Sequence, residues 1–374
     1  MQETIKGCYL HYRDVIDNEK PGGIEKKVAA QIKAFNDAGL SCDFILCKQP
    51  ETTMSKVLSC LPFFSDGINW PDPASMADYS FMYIRRPRFA SRELIGFIKD
   101  TKQMNPRIKV VYEIPTYPYD DEMKNPLLYP ALIKDRKKRM GLKACVDRIA
   151  TLTDDKGIFD IEAIKIMNGI DLSRVSLKEP APSLEEVHIV VVASFEPWHG
   201  LDRLIKGVID YYQSKAIHRS IILHVVGAGN VLKPLIGQVN AAGLKDRIIF
   251  HGYCNSTELD MLYNQCSLAV ESLGFHRIGL TVSATLKSRE YLAKGIPFIC
   301  ANMTDVFMDN PVDFCLRIPS DETPVDVNAV LDFHDSLYSS ETQEALIARV
   351  RSFAESHLGM DQAMREAIDY FLDR

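Results

Sequence analysis

The sequence predicts an α/β protein of two doubly wound, Rossmann-like domains that face each other across a cleft. Three observations carry this expectation. Short β-rich runs alternate with helix-period segments throughout, the pattern of parallel sheets covered by helices on both faces. A polar stretch with two prolines, Ser176-Leu-Lys-Glu-Pro-Ala-Pro-Ser-Leu-Glu-Glu186, interrupts the alternation, and a second series follows it. The chain has 374 residues, too many for one ordinary core and suited to two domains of roughly 150–200 residues each. The expected units are two Rossmann-like domains, 1–178 and 179–357. Residues 358–374 are expected to form a helix that packs back toward the first domain.

In the first half, Gly7–His11, Cys42–Cys47, Tyr79–Ile84, Ile108–Glu113 and Ile149–Thr153 read as buried strands. Ile24–Ala38 carries Val28, Ile32 and Phe35 at helical spacing and stops at Gly39, and Ser91–Met104 carries Leu94, Ile95 and Ile98 on one face. In the second half, Val187–Ala193, Ile221–Val226, Ile248–His251, Leu268–Glu271 and Pro297–Cys300 read as strands, and Thr342–Asp373 as helix. Doubly wound sheets bind ligands at the carboxyl ends of their strands, so a cleft between two such edges suits a two-substrate reaction.

Composition excludes several classes. A net charge of −6 gives a nucleic-acid partner no support. The nine cysteines are scattered, with no CxxC pair and no histidine at metal-ligand spacing, and read as buried thiols in a reducing compartment. The first residues run straight into a short apolar strand without the longer apolar region of a signal peptide. No stretch approaches the ~18–20 apolar residues that span a bilayer. A cytoplasmic protein is expected, able to sit at the inner face of the cell membrane. Lys134-Asp-Arg-Lys-Lys-Arg139 is the basic cluster that can dock an anionic membrane surface; a solvated helix face is the plainer reading.

The strongest local signal is Thr285-Leu-Lys-Ser-Arg-Glu-Tyr-Leu-Ala-Lys-Gly-Ile-Pro-Phe298. Lys287 and Glu290 lie on one face of a helix that Gly295 ends. A carboxylate there can accept both hydroxyls of a ribose, and a lysine one turn earlier can meet a phosphate. With its surroundings, the segment resembles the nucleotide-binding domain of family-4 retaining glycosyltransferases, which have the GT-B fold. The resemblance runs from Ile189 to about Asn302 and rests on four ordered motifs: Val191-Val-Ala-Ser-Phe-Glu-Pro-Trp-His-Gly-Leu-Asp-Arg-Leu-Ile205, His224-Val-Val-Gly-Ala-Gly229, Ile248-Ile-Phe-His-Gly-Tyr253 and the Lys287–Phe298 segment. Pro21-Gly-Gly-Ile-Glu25 and Asn168-Gly-Ile-Asp171 are similar to the glycine loop and the closing turn of the family's first domain.

What the resemblance implies is sugar transfer from a UDP- or GDP-type nucleotide sugar to a glycan or lipid-linked acceptor, with retention. No metal and no cofactor beyond the nucleotide-sugar co-substrate are implied. The donor set it implies is Gly22, Gly23, Ser194, Gly227, Gly229, Tyr253, His276, Arg277, Leu286, Lys287 and Glu290. His199 and Lys287 are the candidates to meet the charge that builds on the departing diphosphate, with Arg277 sharing the task; a capping role for His199 is the alternative. Glu113 is the candidate near the reacting centre, against a purely structural role. Tyr117, Tyr119, Asp120 and Arg85 stand at strand ends where an acceptor would be met. The family's two glutamates separated by seven residues are not both present: Glu290 matches the second, and Val282 stands at the first. His276 falls near that place in a longer loop, and Glu271 ends a strand close by. The competing expectations are a non-catalytic nucleotide-sugar-binding subunit and a nucleotide-sugar epimerase. A NAD enzyme is disfavoured because Leu232 occupies the third glycine position of the dinucleotide fingerprint.

Overall fold

The computed structural model describes residues 5–12, 23–50, 52–123, 126, 128–214 and 217–374. The chain divides into two compact units, Met1–Gly169 with Met360–Arg374, and Ile170–Gly359.

The first unit runs β1 (Lys6–Tyr12), α1 (Gly23–Asp37), β2 (Ser41–Cys47), α2 (Thr53–Cys60), β3 (Phe81–Arg85), α3 (Arg92–Met104), β4 (Lys109–Ile114), α4 (Tyr129–Lys138), β5 (Arg148–Thr151), β6 (Gly157–Ile158) and β7 (Ile161–Lys165). Among the described residues these strands form one sheet, ordered β2-β1-β3-β4-β5-β7-β6 and parallel except for β6. Phe81-Met-Tyr-Ile84 is buried on both faces, as a central parallel strand must be when helices cover each side. Ser91 caps α3 by accepting from the Leu94 N–H at 2.9 Å.

The second unit runs β8 (Glu186–Ser194), α5 (Leu201–Gln213), β9 (Ser220–Ala228), α6 (Leu232–Ala241), β10 (Ile248–Gly252), α7 (Ser256–Gln265), β11 (Leu268–Val270), β12 (Val282–Ser283), α8 (Leu286–Lys294), β13 (Phe298–Cys300), β14 (Met303–Thr304), β15 (Cys315–Arg317), α9 (Val327–Ser340) and α10 (Gln343–His357). Its main sheet is parallel and ordered β10-β9-β8-β11-β13-β15, with β12 and β14 paired apart from it. The strands β6, β7, β12, β14 and β15 are not among those that the sequence patterns show. The last helices, α11 (Met360–Ala363) and α12 (Arg365–Leu372), belong to the first unit. There Phe371 stacks on Phe81 with ring centroids 4.2 Å apart, and Met364, Ala367 and Ile368 join the core of Val28 and Phe35. Among the described residues no helix is long and apolar enough to cross a membrane.

One polar feature crosses the second sheet. His188, His224 and His251 sit on β8, β9 and β10 and form a ladder, with Nδ1 of His188 2.9 Å from Nε2 of His224 and Nδ1 of His224 2.9 Å from Nε2 of His251. Burial, then the neighbouring His188 and His251, pushes His224 from the usual value near 6.5 down to about 4. Glu186 lies 3.9 Å from His188, at the outer end of the ladder. A depressed histidine pKa means that the unfolded chain takes up the proton first as pH falls. The stability from the neutral ring is therefore complete above pH 6.5 and lost on the way down to 4. Urea unfolding at pH 7 and pH 5 should show a loss of about 1–2 kcal/mol at the lower pH, smaller in His224→Asn. An identical loss in both proteins would remove the ladder from the account.

Candidate active site

In the second unit β8 and β11 are sheet neighbours although β9 and β10 intervene in sequence. Loops leaving their carboxyl ends diverge there, and such a switch point is where open α/β sheets leave a crevice. After β8 the chain turns through a single 3-10 turn, Pro197–His199. The Glu196 N–H donates to Nδ1 of His199 at 2.9 Å, so Nδ1 is the acceptor and the ring's hydrogen sits on Nε2. Burial first, and then the charge of Lys287, lowers the His199 pKa to about 4. His199 is therefore a neutral donor at physiological pH. The expectation that it serves as a cation is corrected on this point.

The cation in the crevice is Lys287, in the first turn of α8. Its Nζ donates to Ser272 Oγ at 2.8 Å and lies 3.9 Å from Glu271 Oε1. Glu271 follows β11 directly, is fully buried, and accepts from Thr285 Oγ1 at 2.8 Å. Burial raises the Glu271 carboxyl and lowers the Lys287 ammonium, and each group's charge opposes the other's shift. The sequence offered Glu271 chiefly as a strand terminus. The signal that could have found it is a carboxylate ending a wholly apolar run at a switch-point strand. Glu290, one turn after Lys287, is half-buried and accepts from Tyr263 Oη at 3.4 Å. Leu286, at the start of α8, is exposed.

Arg277 is not available to a phosphate. It holds Asp202 through two contacts of 2.9 and 2.7 Å, Glu322 through two of 2.9 and 2.5 Å, and the Pro197 carbonyl at 2.6 Å. His276 meets the same Glu322 at 2.7 Å. These two expected donor residues thus clamp the 275–278 turn onto the start of α5, and the clamp includes residues distant in sequence. Gly227 (φ 122°) and Gly229 have a packing reason to be glycine: a Cβ would stand 1.9 Å from the Ala193 carbonyl oxygen and 2.1 Å from that of Phe195. They bring the end of β9 close against the end of β8, where Ser194 is exposed. Tyr253, three-quarters exposed, lines a cavity of 390 Å³ with His251, Glu258 and Met261.

In the first unit Gly22 lies outside the described residues, and Gly23 opens α1. Glu113, on β4, is fully buried and faces Arg85 of β3 in register. Its Oε1 takes the Arg85 Nη1 at 2.5 Å, and its Oε2 accepts from Tyr83 Oη at 2.8 Å and Gln31 Nε2 at 3.0 Å. Lys27 stands 3.7 Å away and donates to Asn168 Oδ1 at 2.7 Å. Burial alone would raise the Glu113 pKa, but Arg85, Lys27, Tyr83 and Gln31 together hold it below the usual carboxylate value. This carboxylate is ionised, saturated by the protein and closed to solvent, which is the geometry of an anchor and not of a reacting group.

The remaining expected acceptor residues are likewise engaged. Tyr119 is buried, donates to Asp135 at 3.0 Å and lies under the Arg86 guanidinium at 3.9 Å. Asp120 holds Arg136 at 2.9 and 2.6 Å and Arg139 at 2.6 Å. Tyr117 packs edge-on to Phe159. Lys134 is no part of a solvated basic face: it is buried and donates to the Ser59 and Phe64 carbonyls at 2.7 and 2.8 Å. Among the described residues no group of three or more His, Cys, Asp or Glu is placed to hold a metal ion.

Residues 176–309, which include the whole Lys287 crevice, match the family described as Glycosyl transferases group 1. Curated proteins offer no significant match in sequence. Solved structures do match across the chain. A sucrose-phosphate synthase from Thermosynechococcus elongatus has a TM-score of 0.61 at 15% identity, covering 98% of both chains. HepE of Anabaena in complex with UDP-glucose has 0.60 at 13%, covering 98% of this chain and 99% of that one. The lipopolysaccharide outer core galactosyltransferase WaaB has 0.55 at 12%, with the same coverage. The chain has the GT-B fold of these glycosyltransferases, and its second unit carries the group 1 glycosyl transferase signature.

Proposed function

We propose that the protein transfers a sugar from a nucleotide-diphosphate sugar to a glycan or lipid-linked acceptor, with retention at the anomeric carbon and without an obligatory metal. The observation that carries this is the Lys287 cluster: one half-buried ammonium, a neutral imidazole N–H and a buried carboxylate at a switch point, all within the stretch that matches group 1 glycosyl transferases. UDP is the first nucleotide to test, because the HepE structure named above holds UDP-glucose.

In this mechanism Lys287 stabilises the negative charge that accumulates on the diphosphate as the glycosidic bond breaks. His199 adds an uncharged donor through Nε2. Glu271 acts on the lysine: burial disfavours the ammonium, and the adjacent carboxylate restores it. Glu290 takes the ribose hydroxyls, one turn along the same helix. Retention and the absence of metal rest on the likeness to family-4 enzymes in the ordered motifs. Glu113 serves the first unit by fixing Arg85 and Lys27, and it does not touch the reacting atoms.

Thermal-shift binding with UDP, GDP and ADP, each with and without EDTA, should show stabilisation by one nucleotide that persists in EDTA. No shift with any of them would sink the proposal. Lys287→Met should lower kcat by about 10²–10³ with the fold intact, as loss of one preorganised donor to developing charge does. Retained turnover in that variant would assign the charge to another group. Glu113→Gln leaves Arg85 and Lys27 without their buried carboxylate, and should lower the unfolding free energy by about 3–5 kcal/mol in urea. A variant that kept full stability while losing kcat would return Glu113 to the chemistry.

A further inference from the structure

The basic run at 134–139 divides between two tasks in the structure. Lys134 is buried against the Ser59 and Phe64 carbonyls, while Arg136 and Arg139 hold Asp120 and Arg139 also meets Asp135 at 3.4 Å. Lys137 and Lys138 remain. The first is exposed, the second half-buried, and neither forms an ion pair among the described residues. They follow Lys134 by three and four residues, so on α4 they share its face, the one that meets the end of α2 and the turn after it.

What these lysines flank is apolar and exposed. On α2, Met54 and Val57 are 69% and 57% exposed, and with the half-buried Leu61 they recur at the i, i+3, i+7 spacing of one helix face. Ser59 and Cys60, off that stripe, are the buried residues. The helix therefore turns its apolar stripe outward, the reverse of what a core demands. The stripe continues into Phe63, 93% exposed, and Phe64, whose N–H donates to the Leu61 carbonyl at 3.2 Å. A phenylalanine exposed to that extent projects from the surface. An apolar patch of this kind, rimmed by polar groups, marks a surface that something else covers.

The charge around the patch points to what covers it. Arg92, beside Lys134, is offset by Glu93 at 3.4 Å, and Lys56 has a partner of its own. Asp66 is buried and accepts from the Ile68 N–H, Trp70 Nε1 and Ser91 Oγ. Arg88 is exposed, reaches the Cys60 thiol at 3.9 Å and forms no ion pair among the described residues. Lys137, Lys138 and Arg88 thus leave a positive rim around apolar side chains, on a chain whose net charge is −6.

We propose that this face docks on the anionic surface of a lipid bilayer. Met54, Val57 and Phe63 enter the boundary between headgroups and acyl chains, and Lys137 and Lys138 lie among the lipid phosphates. Apolar insertion and attraction to anionic lipid together hold such a surface on a membrane. The docking belongs to the first unit and does not depend on the sugar-transfer reading.

Cosedimentation of the full chain with vesicles of phosphatidylglycerol in phosphatidylcholine, against phosphatidylcholine alone, tests this. Binding should require the anionic lipid and weaken in about 0.5 M salt. A cation near the surface contributes about fivefold, so Lys137→Gln with Lys138→Gln should weaken binding about tenfold or more. Val57→Ser with Phe63→Ser, which leaves the charge unchanged, should weaken it about tenfold or more as well. These four side chains are exposed or half-buried, so both variants should fold, and unchanged melting confirms it. No binding to the anionic vesicles overturns the proposal, and so does binding that either variant retains in full. A wild-type dimer in light scattering that Val57→Ser with Phe63→Ser makes monomeric, without vesicle binding, would assign the face to a second copy instead.

Discussion

The constraint on which the rest of the molecule depends is the burial of parallel strands on both faces. Phe81-Met-Tyr-Ile84, Val110–Tyr112 and Leu268–Val270 have no exposed side to offer to a ligand. Polar chemistry can then emerge only where a strand ends and its loop turns away. Glu271 begins where β11 stops. The same requirement fixes the glycine turn after β9: Gly227 has to pass within van der Waals range of the Ala193 carbonyl for the loop after β8 to lie over the sheet edge.

Two buried carboxylates show how the surroundings decide a role. Glu113 meets two cations, two tyrosine hydroxyls and a glutamine amide, and its carboxyl is held below the usual value. Glu271 has Lys287 at 3.9 Å, the Thr285 hydroxyl, the Ser272 backbone N–H and the more weakly acting Arg289, and burial prevails over them. The first is locked in its ionised form by the fold. The second has Lys287 as its principal cation, so an anion brought near Lys287 would change the balance directly. On the proposed function, an arriving phosphate would compete with Glu271 for the same ammonium, a competition that the saturated Glu113 site does not allow.

Fold class was legible because its signals are local: apolar runs for the central strands, helical spacing for α1 and α3, and a glycine at the end of α8. The common helix of Lys287 and Glu290 was legible for the same reason, one turn separating them. The fates of the arginines were not. Arg277 and Arg85 look like anion receivers in sequence, but their partners Asp202, Glu322 and Glu113 lie 75, 45 and 28 residues away. The tautomer of His199 depends on the backbone N–H of a turn, which no composition records. Short strands such as β12 and β14 are held by long-range pairing and leave no periodicity.

The distribution of charge that results is economical in a physical sense. A protein that must bind a dianionic leaving group gains from positive charge but destabilises itself by burying several unpaired cations. Here the crevice keeps one ammonium, supported by Glu271, and its second donor is an imidazole kept neutral by burial and by that same ammonium. Arg277, the other nearby cation, is neutralised by two carboxylates and serves to hold the loop in place. In the proposed mechanism the diphosphate charge falls on Lys287, with His199 supplying direction more than charge. In that mechanism the loop after β8 supplies a histidine and no arginine or lysine, and the positive charge for the diphosphate comes from Lys287 in the first turn of α8.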